Sequence, residues 1–200
     1  MARRRLLLAA LLVALMPTSA FADDNDDDDS YPFQLALFDP VQIAPSEQSV
    51  GGVRLSIFYS LNQDVTGLDL LLVGLNRTDG DNVGVSFAFL GVNWVEGKKK
   101  GVQYSSLFNV AQNGFYGVQF SLFLNYGSGD SAGIQFASTA NVGRRMSGVQ
   151  VSLLNVADEF TGLQVGFVNI VRQMKGVQIG LFNIITEGVL PFMLIANAMF

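Results

Sequence analysis

The feature that most limits what this chain can fold into is a short unit written over and over. Gly148-Val149-Gln150-Val151-Ser152-Leu153-Leu154-Asn155, Gly162-Leu163-Gln164-Val165-Gly166-Phe167-Val168-Asn169 and Gly176-Val177-Gln178-Ile179-Gly180-Leu181-Phe182-Asn183 are three copies whose starts lie 14 residues apart. Upstream copies open at Gly101, Gly117 and Gly133, at spacings of 16, 16 and 15, with Gln103, Gln119 and Gln135 two positions later and Asn109, Asn125 and Asn141 eight positions later. Looser copies open at Gly52-Val53-Arg54 and Gly67-Leu68-Asp69, and another lies around Asn82-Val83-Gly84. Self-similarity at so short a period is the signature of a stacked architecture, because one unit cannot bury a face alone.

Each copy is rich in Val, Ile, Leu and Phe, alternates at its start, and is followed by a polar stretch such as Asp158-Glu159-Phe160-Thr161 or Arg172-Gln173-Met174-Lys175. That is a β-strand followed by a turn. Val149, Val151 and Leu153 share one face, while Gly148, Gln150 and Ser152 share the other. The second half of the unit is apolar at nearly every position except Asn, which leaves little face for water.

The repeat domain is therefore all-β and spans residues 31–200, and two architectures accommodate it. In a parallel β-solenoid each 14–16-residue unit is one coil, so the Gln and Asn side chains stack as hydrogen-bonded amides and each Gly marks a corner. In an antiparallel outer-membrane β-barrel each unit is one tilted strand of about ten residues. Phe200 at the end of an apolar stretch, and Trp94 and Tyr126 just beyond strand ends, suit the barrel. Antiparallel neighbours, however, would set the Gly/Gln half of one strand beside the apolar half of the next and leave no consistent polar lumen. The Gly-to-Asn interval is eight in three successive copies and seven in the next three. Neighbouring coils must match in contour, whereas neighbouring barrel strands need not, so the solenoid is the favoured expectation. Solenoid ends expose strand edges, and residues 31–50 and 188–200 are expected to cover them.

Ahead of the repeats, Arg3, Arg4 and Arg5 precede the apolar run Leu6 to Met16, Pro17 breaks it, and Ala20-Phe21-Ala22 offers a cleavage site. Residues 1–22 read as a secretory signal peptide; the run is too short for a membrane span, which needs about 20 apolar residues. Residues 23–30 form an acidic segment expected to be solvated and disordered, since six of the seventeen acidic residues sit in Asp23–Asp29. Eleven acidic and nine basic residues remain, scattered apart from Lys98-Lys99-Lys100 and Arg144-Arg145, which fall in predicted turns. No basic stripe exists to displace counterions from a phosphate backbone, which argues against nucleic acid.

The chain has no Cys and no His, which removes thiol nucleophiles, imidazole bases and Cys/His metal sites. Gly127–Ser131 and Thr78–Asn82 carry carboxylates near glycine but occur singly, without the distal acidic ligand of a calcium loop, and read as turns. Asn76-Arg77-Thr78 fits a glycosylation acceptor and reads as a turn as well. Adjacent Asp158 and Glu159 diverge in direction and do not form an acid/base pair of the glycosidase kind. No catalytic, cofactor or metal residue is expected.

Gly-Val-Gln-Ile-Gly-Leu-Phe-Asn at 176–183, with its sister copies, resembles the G-[LV]-Q-[IV]-G-[LF]-[FV]-N repeats of exported bacterial surface-repeat proteins of uncharacterised function. Phe33-Gln34-Leu35-Ala36-Leu37 and the closing Pro191-Phe192 with terminal Phe200 are similar to the ends of such proteins. The resemblance covers most of residues 31–200; Arg54 and Asp69 depart from it where Gln is expected. It implies export to the cell envelope or surface, in the periplasm or at the outer membrane. A structural or interaction role with no enzymatic activity is expected, on a surface that binds a glycan or protein ligand; the barrel alternative is a small channel or membrane anchor.

Overall fold

A computed structural model describes residues 30–200. The signal peptide assigned to residues 1–22 and the acidic residues 23–29 lie outside the described residues. The described chain is strand after strand: β1 (Ser30–Phe38), β2 (Val41–Gln42), β3 (Ser49–Ser56), β4 (Tyr59–Asn62), β5 (Val65–Thr78), β6 (Asn82–Val95), β7 (Lys99–Ser105), β8 (Phe108–Ala111), β9 (Phe115–Ser121), β10 (Leu124–Ala137), β11 (Ala140–Ile185) and β12 (Phe192–Met199). No helix occurs among the described residues.

Successive strands pair in parallel from β1–β3 through β10–β11. Among the described residues antiparallel pairing is confined to β1–β2 and β11–β12. The chain is thus a parallel β-solenoid, and the antiparallel barrel is overturned. Parallel pairing one coil apart sets like residue on like: Gly101↔Gly117, Gln103↔Gln119, Asn109↔Asn125. A barrel would have alternated them.

Each coil holds two strand segments rather than the single strand and turn read from the repeat. β7 carries Gly101 and Gln103, the chain bends at Ser106–Leu107, and β8 carries Asn109 before the polar turn at Gln112–Gly114. Two parallel ladders therefore face each other, joined by an apolar corner on one side and a polar turn on the other. The corner tightens along the chain: Gly67 to Asn76 and Gly84 to Asn93 are nine residues, Gly101 to Asn109 eight, Gly148 to Asn155 seven. The strand breaks at the corner in the eight-residue copies and continues through it in the nine-residue copies of β5 and β6 and in the seven-residue copies, where β11 runs unbroken for 46 residues.

One column forces the repeat to keep its glycine. Gly84, Gly101, Gly117, Gly133, Gly148, Gly162 and Gly176 all have positive φ, between 113° and 144°, a region closed to side-chain-bearing residues without strain. A Cβ on any of them would also strike the carbonyl of the glycine one coil earlier. Residues 31–50 supply β1, β2 and the loop to β3. At the other end β12 runs antiparallel along the whole last coil, Met199 opposite Gly176 and Phe192 opposite Ile184.

Candidate functional site

The residues singled out by the repeat come together inside the solenoid. Gln103, Gln119, Gln135, Gln150, Gln164 and Gln178 are all fully buried, as are Asn109, Asn125, Asn141, Asn155, Asn169 and Asn183. From Gln119 to Gln178 each Gln donates from Nε2 to Oε1 of the Gln one coil earlier, at 2.7–2.9 Å. The Asn ladder runs the opposite way: each Nδ2 donates to Oδ1 of the Asn one coil later, at 2.8–3.1 Å from Asn93 to Asn183. The second Asn proton goes to a main-chain carbonyl in the following coil, as from Asn109 to Phe120 at 2.6 Å and from Asn141 to Val151 at 2.9 Å. An unpaired buried amide costs about 1–3 kcal/mol, so the stack is stable only because every copy supplies the same groups.

Two residues before each Gly, a second inward column changes character along the chain. Toward the C-terminus it is apolar, with Phe115, Met146, Phe160 and Met174 packed with Ala111, Ala157, Val171 and Ile185. In the first coils it holds Val50 and Val65, then Asn82 and Lys99, and Ser131 is a polar member before Gly133. Contrary to the turn expected for Lys98–Lys100, Lys99 opens β7, is the inward member of the three and is 1% exposed. Its Nζ donates to Asn82 Oδ1 at 2.6 Å, Gly84 O at 3.0 Å and Ser86 Oγ at 3.0 Å.

Beside it, the two departures from Gln fall in the Gln column itself: Gln34↔Arg54, Arg54↔Asp69, Asp69↔Ser86, Ser86↔Gln103. Arg54 grips Asp69 with both prongs, Nε to Oδ1 at 2.8 Å and Nη2 to Oδ2 at 2.7 Å, both side chains almost wholly buried. Asp69 also accepts from Asn76 at 2.5 Å and Asn82 at 3.2 Å. One carboxylate thus stands between two buried cations. Both amide ladders stop at this level: among the described residues, Gln103 Nε2 and Asn93 Oδ1 have no hydrogen-bond partner.

Burial pushes the Lys99 ammonium down to about 8, against the pull of Asp69. In the unfolded chain the same amine titrates near 10.4. Between those values the unfolded state binds the extra proton, so this group adds stability as pH rises through the window. At about 1.4 kcal/mol per pH unit, wild type should gain on the order of 3 kcal/mol relative to Lys99→Met between pH 7.5 and 10.5. Urea unfolding at several pH values measures it; parallel stability curves for the two proteins would refute the buried-amine assignment.

With the amides inside, the outward positions are apolar. The residues one and three after each Gly are Leu68 and Leu70, Val85 and Phe87, Val102 and Tyr104, Ile134 and Phe136, and so on to Val177 and Ile179. On the other ladder Phe108 and Phe182 point outward. Rings stack from coil to coil, Phe87 on Tyr104 at 4.5 Å and Phe120 near Phe136 at 5.9 Å. The corner between the ladders is the most apolar part, with Leu72, Phe89, Leu153 and Phe167 each more than half exposed. A shallow groove of about 600 Å³ crosses it, between Phe136, Leu153, Phe167 and Leu181.

The opposite edge carries the charge. Asp130 pairs with Arg145, Lys100 with Asp81, and Arg172 with both Glu159 and Glu187. Asp158 and Glu159 are both exposed there, with no third acid beside them; among the described residues no three Asp or Glu side chains gather as a metal site would require. The strand alternation held the signal for these outward ladders, but it separates two faces without saying which is inside. No protein family, curated protein or solved structure matches the chain.

Proposed function

We propose that this is an exported structural or interaction repeat protein of the bacterial cell envelope or surface, without catalytic activity. The observation that carries the reading is the division of labour in the coil. The interior is filled by amide ladders and a small apolar core, while the whole outward repeat is offered to a partner. Stacked outward Val, Ile, Leu and Phe suit an apolar partner better than a glycan, whose hydroxyls require hydrogen-bonding groups. The basic, apolar and small-residue pattern of residues 1–22 supports export.

Fractionation of a bacterium expressing the full chain tests this, with the N-terminus of the recovered protein read by mass spectrometry. The expected product begins at Asp23 and sits in the envelope fraction. A chain that keeps Met1 and fractionates with the cytoplasm would overturn the reading.

A further inference from the structure

We propose that the solenoid lies edge-up in one leaflet of a phospholipid bilayer, its apolar corner buried among the acyl chains and its charged edge in the headgroups. This deepens the envelope reading and rests on it. Three observations lead to lipid rather than to a protein partner.

The first is continuity. Apolar side chains cover both ladders and the corner that joins them, so three sides of the molecule are apolar without a break. A second copy packed on one ladder would cover one side and leave two; a fluid covers all three. The exceptions at the corner are small or terminal, namely the hydroxyls of Ser138 and Thr139 and, beyond the first strand, Asp39.

The second is where polar groups stand. In the coils between the first and last strands the backbone groups are paired along the ladders, and the amides from Gln119 to Gln164 and from Asn109 to Asn169 along their stacks, which is what hydrocarbon demands of them; the open strand edges are confined to the two ends of the molecule. Lys98, Arg144, Asp158, Glu159, Lys175 and Glu187 are exposed on the edge opposite the corner. Trp94, Tyr116 and Tyr126 stand beside that edge, with Trp94 Nε1 donating to Glu96 at 2.7 Å. Aromatic rings with one polar end favour this level of a membrane.

The third is depth. From the glycine column to the corner, as from Gly84 to Phe89, the strand advances five residues, about 16 Å at roughly 3.3 Å per residue. Half the hydrocarbon thickness of a bilayer is about 15 Å. The ion pairs of the edge already answer one another, so binding needs no anionic lipid and tolerates salt.

Full-length protein diluted from urea into phosphatidylcholine vesicles, then floated on a density gradient in 0.5 M salt, tests the proposal. Wild type should float. The variant Leu72→Glu/Phe89→Glu/Phe167→Glu, altered only at outward corner positions and sharing the same N-terminal residues, should lose at least tenfold in floated fraction while keeping its β-type circular dichroism. Depth is read by fluorescence quenching with brominated lipids. Trp94, the single tryptophan, should be quenched best by shallow bromines, and Phe89→Trp in a Trp94→Phe background by deep ones. A wild type that stays monodisperse or dimeric in water without floating, a corner variant that floats equally, or equal quenching depths would each overturn the proposal. Envelope fractionation without vesicle insertion removes this proposal and leaves the envelope reading standing; insertion by a chain found in the cytoplasm does the reverse.

Discussion

Replacing Asp69 with Asn is expected to cost about 3–5 kcal/mol of unfolding free energy, the range for removing one partner of a buried ion pair. Among the described residues the carboxylate is the sole buried anion, standing between Arg54, which it binds at 2.7 and 2.8 Å, and Lys99, whose ammonium it helps keep charged. Without it two cations remain in the core. Lys99 can relieve its share by losing its proton, while Arg54 cannot. Asp69→Asn should therefore regain part of its loss as pH rises from 7 to 9, more steeply than wild type. The double change Arg54→Gln/Asp69→Gln, which writes the downstream ladder into these coils, should cost less than Asp69→Asn alone. Urea denaturation of the two variants and wild type reads both effects. An Asp69→Asn protein as stable as wild type would mean that the cluster is hydrated.

Gly133→Ala should be comparably damaging, through the backbone. Its φ of 136° lies where a Cβ is strained, at about 1–3 kcal/mol, and the methyl group would strike the carbonyl of Gly117. Because Gly117 and Gly148 hold the same contact one coil to either side, the coils cannot spread at one level without breaking the ladder at the next. The expected loss is at least about 3 kcal/mol. Ala at Gly143, whose Cβ would meet nothing closer than 3.6 Å, should cost far less. Equal losses at the two sites would show that the column does not hold the coils at this distance.

Much of this architecture was legible in residue spacing. Gly, Gln and Asn recur at intervals that neighbouring copies share, which only stacked coils require, and the structure pairs them like on like. The second strand segment within each unit was hidden because its residues, such as Phe108 and Val110 around Asn109, are apolar with no visible break from the corner. The direction of the faces was hidden for a deeper reason. Alternation set Val149, Val151 and Leu153 against Gln150 and Ser152, but burial of apolar side chains is the usual outcome. Here the interior is occupied by amides that satisfy one another from coil to coil, and the apolar side chains are left on the outward faces. Lys99 sits among three lysines, a run that suggests a turn; its place two residues before Gly101, where other coils carry Phe115, Phe160 and Met174, is the signal that it points inward. Arg54 and Asp69 were visible as breaks in the Gln column, although their pairing across coils needed the register.

The most direct test of the polar interior is hydrogen exchange at side-chain amides, by NMR on protein labelled with ¹⁵N at Gln and Asn. Nε2 protons of Gln119, Gln135, Gln150 and Gln164 should persist in D₂O for hours, as should Nδ2 protons of Asn125, Asn141 and Asn155, while those of exposed Gln63 and Gln173 vanish at once. Rapid loss at all of these positions would show that the amide ladders face solvent and that the solenoid is not built with its polar residues inside.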